Sequence, residues 1–280
     1  MFSGFMVNTW IVATMVAAVA GFVGFFVVIR RSSFAAHALP LAAFPGAAAA
    51  TLLGVSELLG LMVFAGLGVV GISQLARAER QEVATALCLV TLLALGMLFL
   101  SMTREYSQGI YALLFGEVLG ISTSQILPVA VMSVIAIGAM ALSFRPLLLD
   151  AISPELAATL GISHGLRELQ FLTVLALSTV MVVPVVGALL VFSLMVGPAS
   201  AARSVTDRPV VSAALSICIS VATVWVAIAL SYLSNWPVGF FVGTLGVISY
   251  LSGRFYRRSS ASIRGRRREW RDAARPTLAP

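Results

Sequence analysis

Lysine is missing: all 18 basic side chains among the 280 residues are arginine. An ATP-binding P-loop of the GxxxxGK(S/T) type needs its lysine to reach the terminal phosphates, so this chain does not itself make that site. Charge is scarce too. Charged residues make up 10% of the chain and hydrophobic ones 60%, with a mean hydropathy of +1.02, whereas an ordinary soluble domain is about a quarter charged. That excludes a soluble domain. A polytopic membrane protein that handles no nucleotide is a pore, a secondary transporter or one part of a larger machine. Cysteine is limited to Cys88 and Cys218, each inside an apolar run. They provide neither a disulfide framework nor metal-ligand spacing and read as small hydrophobes.

The net charge of +7 has one source. Residues 254–280 hold nine arginines against Glu269 and Asp272, while nine arginines and nine acids balance over residues 1–253. The division into a transmembrane permease domain, 1–253, and a tail, 254–280, follows that boundary. The tail is poor in apolar residues and is expected to be disordered and cytoplasmic, held near anionic lipid by its arginines. At the other end, no basic region and no small-residue cleavage site precede the first apolar run, so Val7 to Ile29 reads as a retained helix.

A helix needs about 20 apolar residues to cross the hydrocarbon core. On that measure spans are expected at Val7 to Ile29, Ala35 to Leu53, Leu58 to Leu75, Val83 to Met102, Ile126 to Leu142, Leu169 to Val186, Gly187 to Ala202, Val210 to Leu233 and Val238 to Leu251. This is an all-α bundle of nine helices, or eight if one short segment is merged. Alternating crossings place Arg30, Arg31, Arg77, Arg80, Arg145, Arg167, Arg203, Arg208 and the tail on one side, with Arg104 alone opposite. The positive-inside pattern puts the N-terminus outside and the C-terminus in the cytoplasm.

Two stretches are not plain spans. Gly109 to Ile121 is too short to cross and carries Glu117, which suggests an outer-face helix or a re-entrant segment. Asp150 to Glu168 is polar enough to lie in water. Within it Ser153 reads as an N-cap, Pro154 as the first helical residue, and Glu155 as a favourable charge at the dipole's positive end. Leu156, Leu160 and Ile162 form an apolar ridge, and Gly161 suits the helix end. The stretch is either a docking knob or an ordinary interfacial connector.

Ionisable residues within spans are functional suspects, because each costs about 2.5–3.5 kcal/mol at a helix centre. His37 is a candidate metal ligand, gate residue or plain helix-end residue. Glu57 lies in an outer loop, and His164 reads as solvated. No carboxylate lies mid-span, which argues against a proton- or sodium-coupled transporter. Helix breakers fall at Pro40, Pro45, Pro184, Gly187, Gly197 and Pro198, and such breaks survive where neighbours or a cavity satisfy the freed carbonyls. Gly197 and Pro198, with Glu117, are therefore candidates for a translocation path or gate.

Four stretches together resemble the membrane permease subunit of the zinc/manganese/iron ABC importers: GFFVVIRRSSFAAHALPLAAFPG, YALLFGEVLGIS, ISPELAATLGIS and VVGALLVFSLMVGPASAAR. The resemblance runs from about Val16 to Leu251. It implies that Ser153 to Ile162 is the cytoplasmic helix that docks on a separate ABC ATPase. It also implies an extracytoplasmic metal-binding lipoprotein, a second permease copy, and a multi-pass cell-membrane location. No cofactor and no nucleic acid are expected. Family members often carry an Asp and, four residues later, a His in the second helix; here those positions are His37 and Leu41. One imidazole and one hydrocarbon replace an oxygen ligand and an imidazole, a weaker set for Mn, Fe or Zn. Either the substrate differs, the ligands come from elsewhere, or a second permease supplies them. The alternatives are a permease for a chelated metal or a cobalamin-like ligand, an ion-gradient-driven transporter acting alone, and a membrane scaffold.

Overall fold

The structure is a computed structural model and describes residues 4–76, 81–102 and 123–273. Among these the elements are all helical: α1 (Gly4–Ile29), α2 (Ser33–Leu53), α3 (Glu57–Leu75), α4 (Gln81–Met102), α5 (Thr123–Leu142), α6 (Phe144–Ile152), α7 (Pro154–Thr159), α8 (His164–Val186), α9 (Val191–Val205), α10 (Pro209–Ser234) and α11 (Val238–Ala273). Seven of the described helices are long and apolar enough to cross a membrane. The pair α5 and α6, bent by 56°, makes an eighth if read as one broken span. The expected count of nine differs at α9. That helix has 15 residues, roughly 22 Å at 1.5 Å per residue, which is short of the ~30 Å hydrocarbon core. Its lost length goes into a turn at Gly187, whose φ of 93° ends α8, and where the Leu190 N–H donates to the Gly187 carbonyl at 3.0 Å.

Helices α1, α2 and α8 are buried over most of their length, whereas α3, α4 and α11 turn most of theirs outward. The outward surface is apolar, with Val63, Val70, Val90, Met97, Val134 and Leu233 all more than half exposed. Lipid is the solvent that tolerates such a face. In it hydroxyls are best satisfied within the protein, and Thr51, Thr91, Ser178 and Thr223 each donate to the carbonyl four residues earlier.

Lipid tails are as apolar as leucine, so helices here associate through close packing. A Cβ placed on Gly46 would lie 2.0 Å from the Gly60 carbonyl oxygen, and one on Gly60 would lie 2.0 Å from that of Gly46. The backbones of α2 and α3 meet there. Gly46→Leu is expected to lower thermal stability in detergent by at least about 1–3 kcal/mol, the cost of forcing methylenes into a filled site. Gly66→Ala, where a Cβ meets nothing within 4 Å, should leave the melting temperature within a degree or two. Fluorescence-monitored unfolding compares the two directly.

The prolines do not interrupt helices as the sequence suggested. Pro40 and Pro45 lie inside a continuous α2, Pro184 inside α8 and Pro198 inside α9. Each removes one ladder bond, to Ala36, Leu41, Val180 and Leu194 respectively. All four prolines sit in helices packed among neighbours, and Pro45 contributes directly, since a Cβ on Gly96 of α4 would stand 2.8 Å from its Cγ.

The tail also departs from expectation. Helix α11 continues from the apolar segment as far as Ala273, so the stretch from Arg254 read as disordered is helical up to that point. Arginine is a good helix former, and adding residues to an existing helix avoids the nucleation cost.

Candidate functional site

The short helix anticipated from Ser153-Pro154-Glu155 is α7. Proline disfavours the α region for the residue before it, and Ser153 is accordingly extended at φ −143°, ψ 78°. The chain therefore breaks between α6 and α7, and the last bond of α6 runs from the Ser153 N–H to the Leu149 carbonyl at 2.8 Å. Ser153 holds the N-cap position, but its hydroxyl makes no capping bond. Pro154 begins the helix, with Glu155 in the first turn. At the other end Gly161 adopts φ 75°. The Ile162 N–H donates to the Ala157 carbonyl at 2.9 Å, and the Gly161 N–H to that of Ala158 at 3.0 Å, a Schellman closure. Ala157 is fully buried, while Leu156 and Leu160 are 52% and 64% exposed. One small face anchors the knob and two leucines project from it.

Behind α7 lies a buried ionic cluster. Arg31 takes φ 57°, and the Ser32 N–H reaches back to the Val27 carbonyl at 3.0 Å, so α1 ends abruptly after Ile29. The Arg30 guanidinium donates through Nη1 to Asp150 Oδ2 at 2.8 Å and through Nη2 to Glu168 Oε2 at 2.6 Å. It also stands 5.1 Å over the Phe171 ring. The other Asp150 oxygen meets His164 Nδ1 at 2.9 Å, and the other Glu168 oxygen accepts a bond from Gln81. Side-chain exposure is 4% for Arg30, 1% for Asp150 and 15% for Glu168. Arg30 thus ties the end of α1 to α6 and α8, and Glu168 extends the tie to the start of α4. Next to it Phe144 stacks on Phe22 and Phe25 and meets Phe26 edge-on.

This cluster was not visible in the sequence. Arg30 read only as a topology marker, and Asp150 and Glu168 as the limits of a polar loop. The one available signal was the placement of Asp150 directly after Leu147 to Leu149, an acid at the end of an apolar run. His164, read as solvated, is 69% exposed at its side chain yet bonded to Asp150.

The remaining candidates are scattered. His37, in the second turn of α2, meets the Phe192 ring edge-on at 5.5 Å, and its Nδ1 is buried without a partner. Leu41 packs one turn further along, against the core. Gly197 lies where α9 touches α11: a Cβ on it would fall 2.6 Å from the Gly246 carbonyl oxygen. Pro198 is buried beside it. No group of three His, Cys, Asp or Glu that could hold a metal ion occurs among the described residues. Glu117 lies outside them. Cys88 and Cys218 are both free, Cys88 buried and Cys218 exposed.

The same fold recurs in known proteins. The chain superposes on PsaBC from Streptococcus pneumoniae, solved in complex with Fab, with a TM-score of 0.81, 22% identity, and coverage of 90% of this chain and 91% of that one. An inward-facing metal-chelate type ABC transporter matches with a TM-score of 0.70 at 17% identity, over 89% of this chain and 85% of the other. Among relatives, the manganese transport system membrane protein MntC of Listeria innocua is 25% identical over 239 residues, 84% of this chain and 85% of its own. The chelated iron transport system membrane protein YfeC of Yersinia pestis is 26% identical over 255 residues, 90% of this chain and 86% of its own. A profile of the ABC 3 transport family covers residues 3–256, nearly the whole helical bundle, and the chain belongs to that family.

Proposed function

We propose that this chain is the transmembrane permease of an ATP-binding-cassette importer for a divalent metal ion, manganese or iron before zinc, working by alternating access driven by a separate ATPase. The observation that carries the reading is α7, a closed six-residue helix with two outward leucines, backed by the Arg30 cluster. A docked hydrolase can push on Leu156 and Leu160, and the ionic joint passes that push to α1, α4, α6 and α8 together. The relatives named for manganese, iron and chelated iron set the substrate class. The chain itself then has no ATPase site, takes metal from an extracytoplasmic binding protein and works beside a second permease copy.

Nine passes, with α9 as the short one, fit this assignment. The N-terminus is then outside, and Arg30, Arg145, Arg167, Arg203 and the tail face the cytoplasm as the positive-inside rule requires. His37 is the proposed metal contact in the path, with Glu117, Gly197 and Pro198 as lining or gate. A chelated metal is the second reading, favoured by the single imidazole of His37 and the hydrocarbon of Leu41, a poor ligand pair for a bare ion.

Co-reconstitution with a cognate ATPase and binding protein tests both readings. Accumulation of bare Mn or Fe only with ATP is the expected result. Uptake of a chelate alone selects the second reading. Accumulation driven by an ion gradient, with no ATPase present, refutes both.

A further inference from the structure

A second charged site lies at the same end of the bundle and plays no part in the transport scheme. There α1, α9 and α11 surround an open cavity of about 350 Å³, whose lining includes Val28, Arg203, Asp207, Tyr250, Arg254 and Arg257. Its lining thus carries three arginines and one aspartate. None of the three forms an ion pair among the described residues. Arg203 Nη1 reaches only the Asp207 backbone carbonyl, at 3.4 Å, and Arg254 Nη1 only the Tyr250 hydroxyl, at 3.5 Å, both at the weak limit for a hydrogen bond. The three arginines thus line one cavity without committed partners, and like charges so gathered favour an anion between them. Planar guanidiniums suit a phosphate, which they grip through paired N–H donors. The Tyr250 hydroxyl, accepting from Arg254, keeps its own proton to donate.

Surrounding residues specify which phosphate. Arg254 and Arg257 lie three apart on α11, and one and two turns earlier the same side of that helix bears Leu251 and Val247, 48% and 56% exposed. A polar cavity therefore adjoins an exposed apolar strip on the same helix. The geometry points to a site for an anionic phospholipid, with its phosphodiester between Arg203, Arg254 and Arg257 and its acyl chains along Val247 and Leu251. Basic pockets between membrane helices bind such headgroups. Bound there, the lipid clamps α11 to α9 and to the end of α1, continuing the seam where Gly253 lies so close to Ala201 that a Cβ would stand 2.6 Å from its Cα.

The test uses the full chain in nanodiscs of phosphatidylcholine containing a minority of phosphatidylglycerol, with retained lipids counted by native mass spectrometry. The tail would attract anionic lipid by itself, so a variant with Arg264, Arg266, Arg267, Arg268, Arg271 and Arg275 changed to Gln serves as the reference. It should still retain phosphatidylglycerol over phosphatidylcholine by about tenfold or more, as three near-surface charges imply. Adding R203Q, R254Q and R257Q should abolish the preference, and R257Q alone, on an exposed residue, should weaken it several-fold without affecting folding. Inorganic phosphate at millimolar concentration should not displace the lipid. An absent preference in the reference variant, an unchanged one in R257Q, or displacement by inorganic phosphate, which would mark a free-anion site, overturns the assignment.

Discussion

Changing Arg30 to Gln should cost the protein most of its stability and all of its transport. The substitution leaves Asp150 and Glu168 facing each other across a buried site with no cation between them. Removing one partner of a buried ion pair costs about 3–5 kcal/mol, chiefly because the remaining charge stays desolvated and unpaired. The expected readout is a large drop in unfolding temperature in detergent and little folded protein in the membrane. The neutral triple variant Arg30→Gln, Asp150→Asn, Glu168→Gln separates charge from shape, since it leaves no buried charge without a partner. It should recover most of the lost stability. If Arg30→Gln alone melts within a degree or two of the parent, the cluster is not the joint described here.

The second large effect is at the knob. Leu156→Glu with Leu160→Glu alters two side chains that are more than half exposed, so the bundle should insert and fold normally. Burying a leucine against a partner contributes about 1.5–3 kcal/mol. Losing two such contacts and introducing two charges should weaken docking by at least a hundredfold. ATP-driven uptake should fall accordingly, while the melting temperature of the isolated permease stays unchanged. Deleting Glu155 to Gly161 should have the same outcome. Normal uptake in either variant removes α7 from the coupling role and leaves it an ordinary connector.

These two sites differ in how far they could be read in advance. The knob is local: Ser153, Pro154, Glu155 and Gly161 act on their immediate neighbours through pre-proline sterics, a fixed φ and a left-handed C-terminal residue. Its start, end and exposed ridge were therefore visible in a dozen letters, apart from the Ser153 hydroxyl, which does not cap. The ionic joint is non-local. Its partners are 120 and 138 residues from Arg30, and no spacing rule links positions that far apart. The prolines misled for a related reason. In isolation each reads as a break, but packing among neighbouring helices keeps α2, α8 and α9 continuous.

Composition and hydropathy alone determined the solvent, the all-helical class and the approximate limits of the spans, because a lipid core admits only self-satisfied backbone about 20 residues long. Local residue order, from Ser153 to Gly161, placed α7. Tertiary structure decided which charges are buried together, which glycines bring helix backbones into contact, and where three arginines meet over an open cavity. Those outcomes depend on which helices become neighbours, and in a bundle whose surfaces are almost uniformly apolar that choice rests on contacts between small residues and rare ion pairs, which linear order does not encode.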